Sequence, residues 1–200
     1  MTKEVHWSEM SVTTDEYRIR HGHDGATVWF TGLSGAGKST LAMACARVLF
    51  DRGVNVVVLD ADNVRHGLNA DLGFGDDDRA ENVRRLGEVA LLMGAQAQVV
   101  LVTAISPFAA GRLAVRRRHT ESGVKFVEVH VATSAEECTR RDTKGLYARV
   151  ADGTYSGLSG VDAPYEMPES PDVRLETQGR AVEECVTDVL SMVLPHIAIS

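Results

Sequence analysis

The chain has 200 residues, 44% of them hydrophobic, which suits one globular α/β domain with a sizeable core and leaves little room for a second. A formal net charge of −7 argues against a general nucleic-acid binder, whose footprint is basic, so any anionic ligand must be held by local positive groups. Cys45, Cys138 and Cys185 lie far apart without C-x-x-C spacing, and neither a signal segment nor a membrane-length apolar run is present; a soluble cytoplasmic protein with reduced thiols is expected.

Residues 1–24 read as a polar, loosely structured arm in which Trp7 packs on a neighbour. Val28–Thr31 reads as a short buried strand and Leu41–Leu49 as a helix. Between them Gly32-Leu33-Ser34-Gly35-Ala36-Gly37-Lys38-Ser39, followed by Thr40, fits the phosphate-binding loop pattern G-x-x-x-x-G-K-[ST] in the strand–loop–helix context it requires. The glycines permit tight turns that aim backbone N–H groups at phosphate oxygens beside a helix N-terminus. Lys38 reaches the β- and γ-phosphates, and the Ser39 hydroxyl can ligate Mg²⁺.

A β-branched run, Val54–Leu59, reads as a second buried parallel strand ending in Asp60-Ala61-Asp62. Ligands of open α/β sheets bind beyond the carboxyl ends of strands, so the acidic pair falls beside the phosphate loop. If the chain stays extended, Asp60 and Asp62 share a face and can address one metal or hydroxyl; as an alternative, they merely cap the next helix. Asn69–Asp78 reads as a loop with one aromatic, Phe74. Arg79–Gly94 reads as a helix with Arg79, Asn82 and Arg85 on one ridge, either solvated or lining an anion site.

Gln98–Ile105 is the third predicted strand, followed by Ser106 as a helix N-cap ahead of a helix from Ala109. That helix ends in Arg116–His119, read as a solvated terminus favoured by the helix dipole. Lys125–Val131 is the fourth strand, Ser134–Arg140 a short helix, and the irregular Gly-, Pro- and acid-rich stretch through Pro171 a lid or tail. Asp172–Glu176 is a candidate fifth strand and Arg180–Leu194 a terminal amphipathic helix.

Taken together, FTGLSGAGKST at 30–40, LDADNVRHGLN at 59–69, DLGF at 71–74, DRAENVRRLGEVA at 78–90, ISPF at 105–108, KGLY at 144–147 and GVDAPYE at 160–166 resemble the adenylylsulfate kinase family. The resemblance runs almost end to end. It implies ATP-dependent phosphorylation of the 3′-hydroxyl of adenosine 5′-phosphosulfate (APS) to give PAPS and ADP. It further implies that Lys38, Asp60 and Asp62 are catalytic, with Asp60 orienting or deprotonating the hydroxyl and, with Ser39, meeting Mg²⁺. Arg65, Arg79 and Asn82 would hold the phosphosulfate and ribose, Phe74 would stack on the APS adenine, and Ile105 with Ser106 would line the same pocket. Lys144 would approach the phosphates from the lid, and Arg141 would lie near the ATP adenine. Some accounts of the family treat the serine matching Ser106 as a phosphorylated intermediate. In-line transfer needs positioning and charge neutralisation, so a binding role is expected instead.

The sequence departs from the family pattern at Leu158, where a second stacking aromatic is usual; its loss would weaken base stacking by roughly 1 kcal/mol or more. Thr143 stands where proline or a small apolar residue is common. Both raise the prospect of another small-molecule acceptor, and a non-catalytic regulatory subunit is the reading from a different class. The expected architecture is a three-layer α/β P-loop kinase fold: an arm at 1–24, one kinase domain at 25–200 with a lid at roughly 142–171, and a parallel five-stranded sheet covered on both faces. The resemblance implies a homodimer joined through the arm, with an ATP sulfurylase as a further partner. Neither nucleic acid nor membrane is expected as one.

Overall fold

The computed structural model describes residue 6 and residues 8–198; the expectation for Trp7 lies outside the described residues. The β-branched runs form parallel strands β1 (Ala26–Thr31), β2 (Val56–Asp60), β3 (Val99–Thr103), β4 (Lys125–Val131) and β5 (Val173–Leu175). Their order in the sheet is β2-β3-β1-β4-β5. Helices are α1 (Thr14–His21), α2 (Lys38–Asp51), α3 (Asp76–Gly94), α4 (Ala109–Glu121), α5 (Ala135–Arg141), α6 (Leu146–Ala151) and α7 (Val182–Ile197). Among the described residues no helix is long and apolar enough to cross a membrane.

The two-residue period of the strands divides the core. Val28, Phe30, Val99 and Leu101 face a cluster completed by Leu41, Cys45 and Leu49 of α2 and by Val186, Val189 and Val193 of α7. Trp29, Val100 and Val102 face the opposite cluster, with Val83, Leu86 and Ala90 of α3 and Val115 of α4. Both faces are covered, as a parallel sheet of continuous apolar strands requires, and the fold is the expected three-layer P-loop kinase architecture. The register pairs Asp60 with Thr103 and Phe30 with Thr103, so the carboxyl ends of β2, β3 and β1 finish level. That is where the chain's polar loops gather.

Two local expectations change. Within the arm, Thr13 and Glu16 form a capping box and Gly22 takes a left-handed φ of 72°, giving a well-formed α1. Asp24 N–H then donates to the Ile197 carbonyl, tying the arm to the end of α7. At the end of α4 the basic run is only partly solvated. His119 is fully buried, its Nδ1 beside the Val115 carbonyl and its Nε2 beside the Thr27 hydroxyl, while Arg116 reaches Asp172 and lies over the Phe126 ring. Helix packing against the sheet decided this, a contact that the local charge pattern does not encode.

Candidate active site

A cleft of about 290 Å³ opens at the level carboxyl ends of β1, β2 and β3. Ser34, Gly35, Gly37, Lys38, Ser39 and Thr40 line one end, Arg65, Phe74, Arg79, Asn82, Ile105 and Ser106 the other, with Asp60 and Asp62 between. Arg141 and Lys144 lie along its rim.

At the phosphate-loop end, Gly32 has φ 151°, and a Cβ there would lie 2.5 Å from the Val131 carbonyl oxygen; only glycine fits. Gly32, Leu33 and Ala36 do not themselves line the cleft. The carbonyls of Gly32 and Leu33 accept from Lys38 Nζ at 2.9 and 2.7 Å, and the Ala36 carbonyl accepts from Thr133 Oγ1 at 2.8 Å and Arg141 Nη1 at 3.3 Å. Arg141 thus braces the phosphate loop and is itself held by Glu137. Tyr147 adds a third support through its hydroxyl, which donates to the Ser34 carbonyl. Burial and the neighbouring Lys144 charge bring the Lys38 pKa down to about 8.

Asp60 is 8% exposed, and its Oδ2 accepts from the Ser39 hydroxyl at 2.6 Å and from Thr103 Oγ1 at 2.7 Å. Its Oδ1 accepts from the Asp62 N–H. Burial acts to raise its pKa, yet the hydrogen bonds from Ser39, Thr103 and the backbone N–H groups outweigh it, and the carboxyl sits below its usual value. Asp60 is therefore a firmly ionised, fixed carboxylate. The expectation that Asp62 shares its face through strand alternation fails, because the chain leaves the strand at Asp60 and Asp62 is already in the right-handed helical region. Nor does its side chain cap the short helix Asn63–His66; its carboxylate pairs with Lys144 across the cleft mouth.

The end of the cleft opposite the phosphate loop is held by its own loops. Arg65 donates to the carbonyls of Leu72 and Gly73, and its guanidinium lies 4.3 Å from the Phe74 ring centre. Arg79 donates to the Phe74 and Gly157 carbonyls and, at 2.6 Å, to Ser159 Oγ. Asn82 Oδ1 accepts from the Asn69 side-chain amide, whose own Oδ1 is buried without a partner. Arg85, the third residue of the ridge, turns to Asp71 and Glu81.

Ser106 does not act as a helix N-cap. Phe108 holds that position, and Ser106 sits at φ +43° with its hydroxyl accepting from the Trp29 indole N–H at 3.1 Å. Leu158 is also displaced from its expected place. It is 2% exposed and packs in the cluster shared by α2 and α7, so it presents no face to an acceptor base. The sequence reading missed Thr103, Asn69 and Ser159. Thr103 and Asn69 carried a signal, Thr103 as the polar residue that ends an otherwise apolar strand and Asn69 as the last residue of LDADNVRHGLN.

Among the described residues, no group of three or more His, Cys, Asp or Glu side chains could hold a metal ion. The hard oxygens of Ser39 and Asp60, 2.6 Å apart, fit a Mg²⁺ that takes its remaining ligands from phosphates and water.

The family profile described as adenylylsulphate kinase matches residues 24–176. The chain is 46% identical over 193 residues to the adenylyl-sulfate kinase of Bacillus licheniformis, covering 96% of this chain and 97% of that protein. It is 49% identical over 168 residues, 84% of this chain, to the bifunctional enzyme CysN/CysC of Mycobacterium tuberculosis, of which that stretch is 27%. The solved structure of the Mycobacterium tuberculosis APS kinase CysC in complex with AMPPNP and APS matches with a TM-score of 0.83 and 48% identity, over 86% of this chain and 98% of that one.

Proposed function

This chain belongs to the adenylylsulphate kinase family, and from that premise we propose that it transfers the γ-phosphoryl group of ATP to the 3′-hydroxyl of APS, releasing PAPS and ADP. The observation that carries the reading is the single cleft with a phosphate loop at one end, Arg65, Phe74 and Arg79 at the other, and an ionised Asp60 between them.

In the proposed reaction the Lys38 ammonium leaves the Gly32 and Leu33 carbonyls for the β- and γ-phosphates. Ser39 and Asp60 would hold Mg²⁺, which supplies charge neutralisation at the phosphates when bound. Asp60 Oδ2, beside Ser39, is the oxygen on the side of the metal, while Oδ1, which accepts from the Asp62 N–H, keeps a lone pair that would accept the hydrogen bond of the 3′-hydroxyl and orient it for in-line attack. A carboxylate held below its usual pKa is a weak base, which suits a loose transition state that asks mainly for positioning. Arg65 and Arg79 exchange loop carbonyls for the phosphosulfate oxygens, to which guanidinium forks bind in two directions. Phe74, exposed at the cleft, offers one stacking face for adenine.

The arm at 1–24, a domain at 25–200 with its lid at roughly 142–171, a homodimer joined through the arm and a sulfurylase partner belong to the same reading. Exposed Met10, Val12 and Ile19 on the arm support the homodimer, which sedimentation of the full chain tests. The three buried free thiols suit a cytoplasmic setting.

The deciding experiment is a coupled ADP-release assay with ATP, Mg²⁺ and APS, beside adenosine 5′-monophosphate, shikimate and gluconate. Turnover with APS alone is expected. Turnover with another acceptor would assign the acceptor end to a different substrate.

A further inference from the structure

Arg112 of α4 is 3% exposed and lies behind the cleft wall, outside its lining. Its Nε donates to Glu128 Oε1 of β4 at 3.0 Å, its Nη1 to the Ser106 carbonyl at 2.6 Å, and its Nη2 to the Glu166 carbonyl at 2.7 Å. The charge opposite Glu128 accounts for only one of these three bonds. The other two reach the backbone of the cleft wall and of the lid.

Both carbonyls matter to the acceptor end. Ser106 holds a left-handed φ of +43°, a region that residues with a Cβ seldom occupy and that persists only where the surroundings over-determine it. Here the determinants are the Trp29 indole on its hydroxyl, the Thr31 hydroxyl on the Ile105 carbonyl, and Arg112 on its own carbonyl. Glu166 is stitched to the same turn: its N–H donates to the Pro107 carbonyl and its carboxylate accepts from Ala109 N–H at 2.6 Å. One guanidinium therefore locks the Ile105–Pro107 wall to the lid segment at Glu166.

We propose that Arg112 is a positioning residue for the acceptor: it sets the backbone of Ile105, Ser106 and Pro107 against APS without touching it. The proposal rests on the APS kinase reading for its substrate. Lysine keeps the charge facing Glu128 but lacks the planar fork that reaches two carbonyls in different directions.

The test is Arg112→Lys, with the double change Arg112→Gln and Glu128→Gln as a second variant that removes the buried charge pair as a unit. Expected in both is a KM for APS raised about tenfold or more, with the KM for ATP within about twofold, since displacement of a positioning wall acts on one substrate. The Trp29 indole N–H resonance, which reports on Ser106 whether or not APS is the acceptor, is expected to shift. The proposal is overturned by an unmoved Trp29 resonance, by an unchanged KM for APS, or by KM values for ATP and APS that rise together. Absence of APS turnover in the wild-type protein would instead overturn the substrate reading, and the Trp29 resonance would still judge the clamp.

Discussion

The Ser39 hydroxyl donates a 2.6 Å hydrogen bond to Asp60 Oδ2, joining the helix that follows β1 to the last residue of β2, and both strands pair with β3. Thr103, at the end of β3, donates to the same oxygen. Three adjacent strands thus converge on one carboxylate, which remains ionised because those donors outweigh its burial.

Asp60→Asn keeps the volume and removes the charge. Turnover is expected to fall by about 10²-fold or more, with the Kd of a non-hydrolysable ATP analogue changing far less, since preorganised charge acts on the transition state. Steady-state kinetics beside calorimetry checks this. A rate within about tenfold of wild type would remove Asp60 from the catalytic set.

Thr103→Val deletes one donor to Asp60 at near-constant shape, at a cost of about 1.5–3 kcal/mol for a hydrogen bond to a charged group. The Asp60 pKa is expected to rise toward its ordinary value. A depressed carboxyl pKa contributes stability above the unfolded-state pKa and loses it as pH falls through the folded one, so the variant should surrender that contribution at a higher pH. Acid unfolding monitored by circular dichroism would show the loss; identical profiles for the two proteins would contradict it.

Lys38 titrates near pH 8, pushed down first by burial and then by Lys144. Its ammonium is present below that pH and is lost above it, so ATP affinity should weaken as pH rises from 7 to 9, by up to about tenfold. Binding at pH 8.5 should take up protons, seen as a buffer-dependent heat. Affinity that stays flat from pH 7 to 9 would show that Lys38 is not the titrating contact. Lys38→Ala should abolish turnover.

Leu158→Phe would restore the aromatic usual in the family, but the side chain enters a filled cluster instead of the cleft. Overpacking is expected to cost about 1–3 kcal/mol, a melting temperature lower by roughly 2–10 °C, with no gain in APS affinity. Tighter APS binding at an unchanged melting temperature would mean that the lid presents this position to the substrate.

The Lys144–Asp62 pair is exposed on both sides, so as a structural bond it is worth less than about 1 kcal/mol. Lys144→Ala should leave the melting temperature within about 2 °C while lowering kcat/KM about tenfold or more. Equal effects on stability and rate would recast the pair as structural.

The sequence by itself determined what depends on neighbours in the chain. Glycines at 32, 35 and 37 ahead of Lys38 and Ser39 specify a loop that few other residues could trace, and runs such as Val99–Thr103 specify strands buried on both faces. Motif spacing then carried the family and brought residues such as Lys38, Asp60, Arg65 and Arg79 into the reading of the cleft, though not Thr103. The tertiary structure decided where Leu158 points, the left-handed strain of Ser106, the turn that separates Asp62 from Asp60, and the burial of His119. Groups distant in sequence act on them, such as Trp29 on Ser106, Thr27 on His119 and the Thr103 carbonyl on the Ala61 N–H. The physical reason is that packing and long-range hydrogen bonds choose among backbone and side-chain states that local propensity leaves nearly equal in energy.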